Sequence, residues 1–211
     1  MWGHRWECEY GWRWGGGYSA APPSLMIVLA WNCGRLGTPL AIHTLTEEVK
    51  KQNPVVVFLA ETKANTDKMK GSQLKLGFTQ GIIVLSDGQN GGLAMLWREG
   101  TDIRFKSCLH LHIDVVAHGE GKDGPWRISG FYEHPNTSKR QSSWQLIEAL
   151  HAQCGIPWVV CGGFNEILHP NEKLGWRERD ANQIRNFHDV FSRCGLVDLG
   201  FVGKKFTLCN G

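Results

Sequence analysis

The sequence has no apolar run approaching the roughly 18 residues that a membrane-spanning helix needs. It also lacks a basic start leading into the continuous hydrophobic stretch of a secretory signal. A soluble, unsecreted protein with no membrane partner is therefore expected. There is no C-x-x-C pair. The seven cysteines, Cys8, Cys33, Cys108, Cys154, Cys161, Cys194 and Cys209, are odd in number and widely spaced. That pattern favours reduced, mostly buried thiols in an intracellular protein over a disulfide frame or a zinc site. An excess of one charge is missing too: 23 Lys and Arg against 20 Asp and Glu leave a formal +3, too little by itself to point to nucleic acid. Internal repeats and low-complexity tracts are absent. What is present, 211 residues with 42% hydrophobic content, suits one domain with a sizeable core and a tail.

Residues 1–24 hold four of the ten tryptophans without any apolar period, and close on a glycine triplet and a proline pair. A disordered leader is expected there; an aromatic-basic arm that stacks on single-stranded nucleic acid is the sharper alternative. The domain then runs from 25 to 211. Leu25 to Trp31 is apolar throughout and Asn32-Cys33-Gly34 breaks it, which predicts a buried strand. Thr38-Pro39 supplies an N-cap and a first-turn proline, and Leu40, Ile42, Leu45 and Val49 follow helical spacing until Asn53-Pro54. Val55 to Ala60 is a second buried strand with Glu61-Thr62-Lys63 at its exit. Strand, helix, strand in this order is a parallel unit, and it sets Asn32 and Glu61 at the same edge of a sheet.

In the middle, Gly81 to Leu85, Gly91 to Trp97, Asp102 to Lys106, Cys108 to Ala117 and Trp126 to Tyr132 are short strands divided by turn residues, as in consecutive antiparallel pairing. In the fourth, Leu109, Leu111, Ile113 and Val115 alternate with His110, His112, Asp114 and Val116. That places both histidines on an outer, solvated face; an H-x-H pair can bind metal, but no third ligand is evident. Helical spacing at Trp144, Ile147 and Leu150 within Ser138 to Cys154 is followed by the strand Trp158 to Cys161. Its Gly162-Gly163 turn delivers Phe164, Asn165 and Glu166. Asp180 caps a last helix with Ile184, Phe187, Phe191 and Cys194 on one stripe and Gly195 as its stop, an aromatic stripe that belongs to the core. Lys205 to Asn210 reads as a strand beginning.

Four apolar strands thus end in polar residues, Asn32, Glu61, Tyr132 and Asn165, which suits a hard cation and a phosphate. The strings Trp31-Asn32-Cys33, Phe58-Leu59-Ala60-Glu61-Thr62-Lys63, Gly91-Gly92-Leu93-Ala94-Met95-Leu96-Trp97, Gly130-Phe131-Tyr132, Gly162-Gly163-Phe164-Asn165-Glu166-Ile167-Leu168 and Cys194-Gly195-Leu196-Val197-Asp198-Leu199-Gly200 together resemble the endonuclease/exonuclease/phosphatase superfamily, the DNase I-like enzymes. They look most like the endonuclease domain of plant LINE-type non-LTR retrotransposons. The resemblance runs from about Met26 to Gly211. It implies an α/β fold, a four-layer α/β sandwich of two mixed β-sheets face to face with helices outside.

The resemblance further implies Mg²⁺ as cofactor, with no small-molecule cofactor, and DNA as partner, hence action in the nucleus. Asn32 would be a polar ligand near the metal and Glu61 its main carboxylate. Tyr132 would contact the scissile phosphate and Asn165 would stabilise the transition state. Thr207 and Asn210 would shape the phosphate and DNA groove. Three departures stand against activity. Relatives read Gly-Asp-Phe-Asn where this chain has Gly163, so the aspartate assigned to the nucleophilic water is lost. The family's carboxy-terminal Asp and Asp-His pair find no counterpart before Gly211. Gly34-Arg35 reverses an Arg-Gly order, and Leu208 stands for Trp. Glu166 should point to the opposite side of its strand and give no rescue. These departures predict negligible hydrolysis, leaving a DNA-nicking enzyme that is impaired or a nucleic-acid-binding or protein-interaction remnant. A carboxy-terminal truncation is expected to expose a sheet edge open to pairing or aggregation.

Overall fold

The computed structural model describes residues 2–6, 27–34, 36, 38–86, 91–119, 124–134, 136–153, 155–168 and 180–199. Its first sheet has the order β1 (Trp2–Trp6), β2 (Val28–Asn32), β3 (Val56–Ala60), β5 (Leu93–Trp97), β4 (Gln80–Val84). The second runs β6 (Ile103–Leu109), β7 (His112–Ala117), β8 (Trp126–Tyr132), β9 (Trp158–Gly163). Both sheets are mixed: β2 and β3 are parallel, as are β8 and β9, while β3–β5, β4–β5, β6–β7 and β7–β8 are antiparallel.

The two parallel pairs follow from their crossovers. Helix α1 (Pro39–Gln52) joins β2 to β3, and α3 (Arg140–His151), entered through a 3-10 turn at Thr137–Lys139, joins β8 to β9. At the start of α1, the Thr38 hydroxyl accepts from the Ala41 amide at 3.3 Å, and Asn53 ends the helix at φ 47°. Asp180 caps α4 (Ala181–Arg193) by accepting from the Asn182 amide at 2.8 Å.

Alternate residues of the strands separate three apolar layers. Val28, Ala30, Val56, Phe58, Leu93 and Met95 from the first sheet meet Ile113, Val115, Ile128, Val159 and Cys161 from the second. On the outer side of the first sheet, Leu29, Trp31, Val57 and Leu59 pack with Leu45 and Val49 of α1 and Met69 of α2 (Thr66–Lys75). On the outer side of the second, Phe131 and Trp158 pack with Trp144, Ile147 and Leu150 of α3 and Phe187 and Val190 of α4. Helices, sheet, sheet, helices is the expected four-layer sandwich.

Three details differ from the sequence reading. Helix α2 was not anticipated because it buries only Met69 and Ser72, so its apolar period is too thin to see. Trp2–Trp6, inside the stretch expected to be a leader, lies antiparallel to β2. The third detail is a correction. The strand expected over Cys108 to Ala117 turns at His110 and Leu111, with Leu109 opposite His112 across the hairpin. Its outer face is not solvated either: β7 lies between β6 and β8, and His112 and Asp114 are buried while His110, in the turn, is exposed. Buried polar groups need partners. The His112 Nε2 lies 3.0 Å from the Ser107 hydroxyl, and Asp114 accepts twice from Arg127 Nε, at 2.8 and 3.0 Å. The strand expected from Lys205 lies outside the described residues.

Candidate active site

The strand registers deliver the polar residues to one rim. Asn32 is level with Ala60 across β2 and β3, so Glu61 follows at the next position; Tyr132 is level with Gly163 across β8 and β9. The rim brings Asn32, Glu61 and Tyr132 into direct contact. Asn32 Nδ2 donates to Glu61 Oε1 at 3.4 Å, the Tyr132 hydroxyl donates to the same oxygen, and Lys63 Nζ donates to Oε2 at 3.1 Å. Asn165 lies close enough to Tyr132 to pull against the rise of its phenol, and its Nδ2 donates to the Glu133 carbonyl at 2.8 Å.

The backbone is held in unusual conformations at this point. Glu61, Lys63 and Asn165 have φ values of 52°, 45° and 49°, left-handed angles that non-glycine residues seldom adopt. The 61–63 turn is clamped from three sides: the amides of Thr62 and Lys63 donate to the carbonyls of Gly92 and Gly91 at 3.1 and 3.2 Å, and Leu36 donates to the Thr62 carbonyl at 2.9 Å. Behind Asn165, Phe164 packs in tilted and edge-on contact with Phe131, Phe187 and Phe191, with ring centroids 5.4 to 5.8 Å away, which fixes the exit of β9. Gly162 has φ 133° and a Cβ there would lie 2.0 Å from the Phe131 carbonyl oxygen, so only glycine fits.

These contacts set the ionisation of the rim. Burial pulls the Glu61 carboxyl upward, but the hydrogen bonds from Tyr132 and Lys63, the Lys63 charge and the Asn32 amide together outweigh it and hold the group below its ordinary 4.5. The Tyr132 phenol is pushed above its ordinary 10.0, first by burial and then by its bond to the Glu61 carboxylate. It stays a donor at neutral pH. Burial, with Glu61 nearby, likewise raises the Cys33 thiol, which makes it an inert neighbour.

Position 163 offers space but no chemistry. A Cβ on Gly163 would meet the Tyr132 ring at 3.3 and 3.6 Å, so a side chain there would lie against the tyrosine. The neighbouring Glu166 is committed elsewhere: its buried carboxylate is paired with Arg140 Nη1, and Arg140 Nε is 3.5 Å from Glu133. Trp144 Nε1 also donates to Glu133, at 2.5 Å. Thr207 and Asn210 lie outside the described residues. Sequence reasoning gave no role to Lys63, although its spacing of two from Glu61 was a usable signal. It also missed the Arg140 cluster, which joins positions far apart in the chain and leaves no local pattern. A groove of about 670 Å³ lies away from the rim between α1 and α2, lined by Lys50, Lys68 and Lys75. Its Thr46 and Ser72 hydroxyls are spent on the backbone of their own helices.

The model of the endonuclease/exonuclease/phosphatase family matches residues 29–203. The chain belongs to that family. No curated protein matches this family member by sequence. Solved structures do match it in fold. An AP endonuclease from Archaeoglobus fulgidus superposes with TM-score 0.57 at 16% identity, covering 79% of this chain and 70% of that one. The AP endonuclease LMAP from Leishmania major gives 0.59 at 12%, covering 79% and 66%. The endonuclease domain of TRAS1, a telomere-specific non-LTR retrotransposon, gives 0.57 at 15%, covering 79% and 71%. The family is one of metal-dependent nucleases and phosphatases, and the donor set here is a thin but workable match to a hard cation. The Glu61 carboxylate, its side chain 22% exposed, stands beside the Asn32 amide; one carboxylate suffices for a cation that keeps most of its water. Among the described residues, no group of three or more His, Cys, Asp or Glu gathers to hold a metal tightly. No described helix is long and apolar enough to cross a membrane.

Proposed function

We propose that this family member is a retrotransposon-derived endonuclease domain of the plant LINE type, built to nick DNA with Mg²⁺ and impaired in hydrolysis by Gly163. The observation that carries the proposal is the meeting of Asn32, Glu61, Tyr132 and Asn165 at one rim around a position, 163, that holds no carboxylate. Glu61 and Asn32 would hold the cation, which when bound supplies positive charge to the phosphoryl oxygens. The Asn165 amide is held in place before substrate arrives, whereas the Tyr132 hydroxyl spends its one proton on Glu61 Oε1 and would have to leave that oxygen to serve charge developing on a phosphate. The fixing of Asn165 is visible in its contact to the Glu133 carbonyl. What the rim lacks is an acceptor for the proton of the attacking water. Loss of a general base costs about 10²–10⁴ in rate.

The TRAS1 likeness in fold supports the retrotransposon origin. A domain acting on DNA would work in the nucleus.

The test is nicking of supercoiled plasmid in Mg²⁺. The wild-type chain should leave the plasmid intact at high protein concentration, Gly163→Asp in a chain that also carries the family's carboxy-terminal Asp and Asp-His pair should introduce nicks, and adding Glu61→Ala to that variant should remove them. Robust wild-type nicking would overturn the impairment. No nicking by that Gly163→Asp chain, with Mg²⁺ bound and the fold intact, would overturn the role given to position 163.

A second reading, a non-cutting module that binds nucleic acid or protein, draws on the same missing carboxylate and on β9, which among the described residues pairs only with β8. It predicts weak DNA binding that falls with added salt, or self-association through that strand.

A further inference from the structure

Glu61 makes contacts that a carboxylate awaiting a cation would not need. Its Oε1 already accepts from Tyr132 and Asn32, and Lys63 Nζ lies 3.1 Å from its Oε2. Glu61 and Lys63 are two positions apart in a turn whose φ angles are 52° and 45°, and the Gly91, Gly92 and Leu36 hydrogen bonds hold that turn. The ammonium and carboxylate side chains are 27% and 22% exposed, so the pair is partly withdrawn from water. Gly163 adds no second carboxylate that could draw the ammonium away. One negative and one positive charge leave this part of the rim neutral.

We infer that Lys63 is a built-in counter-cation of Glu61, which competes with a divalent ion for that carboxylate and must be displaced for the ion to bind. The inference rests on the reading of Glu61 as the metal carboxylate and adds a residue that sets how tightly the metal is held. Lys63 is a positioning residue in this sense. Without metal it keeps the carboxylate in place at the rim; once displaced, its ammonium is released from that pair.

Binding of Mn²⁺ alone, measured from the electron paramagnetic resonance signal of the free ion, separates this role from that of an ordinary surface ion pair. Removing a competing like charge in a partly exposed site should tighten binding roughly three- to tenfold. Lys63→Met and Lys63→Gln should both show that gain, Lys63→Arg should bind no tighter than wild type, and Glu61→Gln should bind far more weakly. Circular dichroism confirms that each variant is folded. Binding by wild type with no gain in either Lys63→Met or Lys63→Gln overturns the inference and leaves the metal site standing. Absence of Mn²⁺ binding in all of the proteins overturns both.

Discussion

Replacing Gly92 by alanine tests whether the Glu61 turn is held as described. Gly92 has φ 84°, where an L-residue loses about 1–2 kcal/mol relative to an ordinary backbone conformation. A Cβ there would also lie 2.4 Å from the Thr62 hydroxyl and 3.3 Å from Ser86 Cβ. Thr62 cannot simply step aside. It is 1% exposed, its amide donates to the Gly92 carbonyl, and its own carbonyl accepts from Leu36. Overpacking of this kind costs about 1–3 kcal/mol, so the total loss should be about 3 kcal/mol, a large part of the about 5–15 kcal/mol that stabilises a domain.

Thr62→Ala separates the two causes. Its hydroxyl is buried without a hydrogen-bond partner, so removing it should itself change little. The double variant should recover the contact cost and retain only the backbone cost, a coupling of about 1–2 kcal/mol. Urea unfolding, with coincident fluorescence and circular dichroism transitions, gives the four free energies. A loss under about 1 kcal/mol for Gly92→Ala, or strict additivity in the double variant, would refute the clamp. The same substitution should weaken Mn²⁺ binding, because the turn carrying Glu61 must move.

Asp114→Asn leaves the Arg127 guanidinium buried against a neutral partner and should cost about 3–5 kcal/mol in urea unfolding, whereas Asp114→Leu combined with Arg127→Met should cost far less. An equal loss in both would show that packing, not charge, is at stake. The His112 ring is held below its ordinary 6.5, first by burial and then by the Arg127 and His110 charges against an opposing pull from Asp114. The unfolded chain therefore takes up a proton that the folded chain refuses. This contribution to stability is complete above pH 6.5 and is lost as pH falls toward the lowered folded value. Melting temperature measured from pH 7.5 to 5 should fall less steeply in His112→Asn; parallel curves would contradict the assignment.

The sequence shows some parts of this fold more readily than others. β2, β3 and β9 are short apolar runs closed by polar or glycine turns, and α1 carries both its cap and its stop, so local chemistry alone reveals them. The described cysteines lie outside any disulfide, with Cys33, Cys161 and Cys194 buried and burial pushing the Cys194 thiol up to about 11, as widely spaced thiols without a C-x-x-C pair suggested. Helix α2 escapes because two buried side chains make no visible stripe. The β6–β7 turn escapes for a different reason. Alternation over Leu109 to Val116 continues through it, and nothing local tells a covered face holding His112 and Asp114 from a wet one. Their partners come from other strands, Ser107 for His112 and Arg127 for Asp114, and Arg127 Nη1 in turn donates to the Leu150 carbonyl at 2.5 Å.

The same distinction explains how a rim could keep its shape if its chemistry lapsed as proposed. The side chains of Asn32, Glu61, Lys63, Tyr132 and Asn165 hold one another, and Glu133 and Glu166 are tied to Arg140 behind them. Position 163 takes part in this network only through its backbone, whose carbonyl accepts from the Glu133 amide at 2.8 Å. A glycine preserves that bond as well as an aspartate would, and a Cβ there, 3.3 Å from the Tyr132 ring, asks the ring to shift only by a few tenths of an ångström. On the proposed reading, a glycine there withholds an acceptor for the water proton without loosening a packed group. Fold and catalysis are separable at this position, so Gly163→Asp, in a chain carrying the family's carboxy-terminal Asp and Asp-His pair, should change nicking far more than it changes the free energy of unfolding.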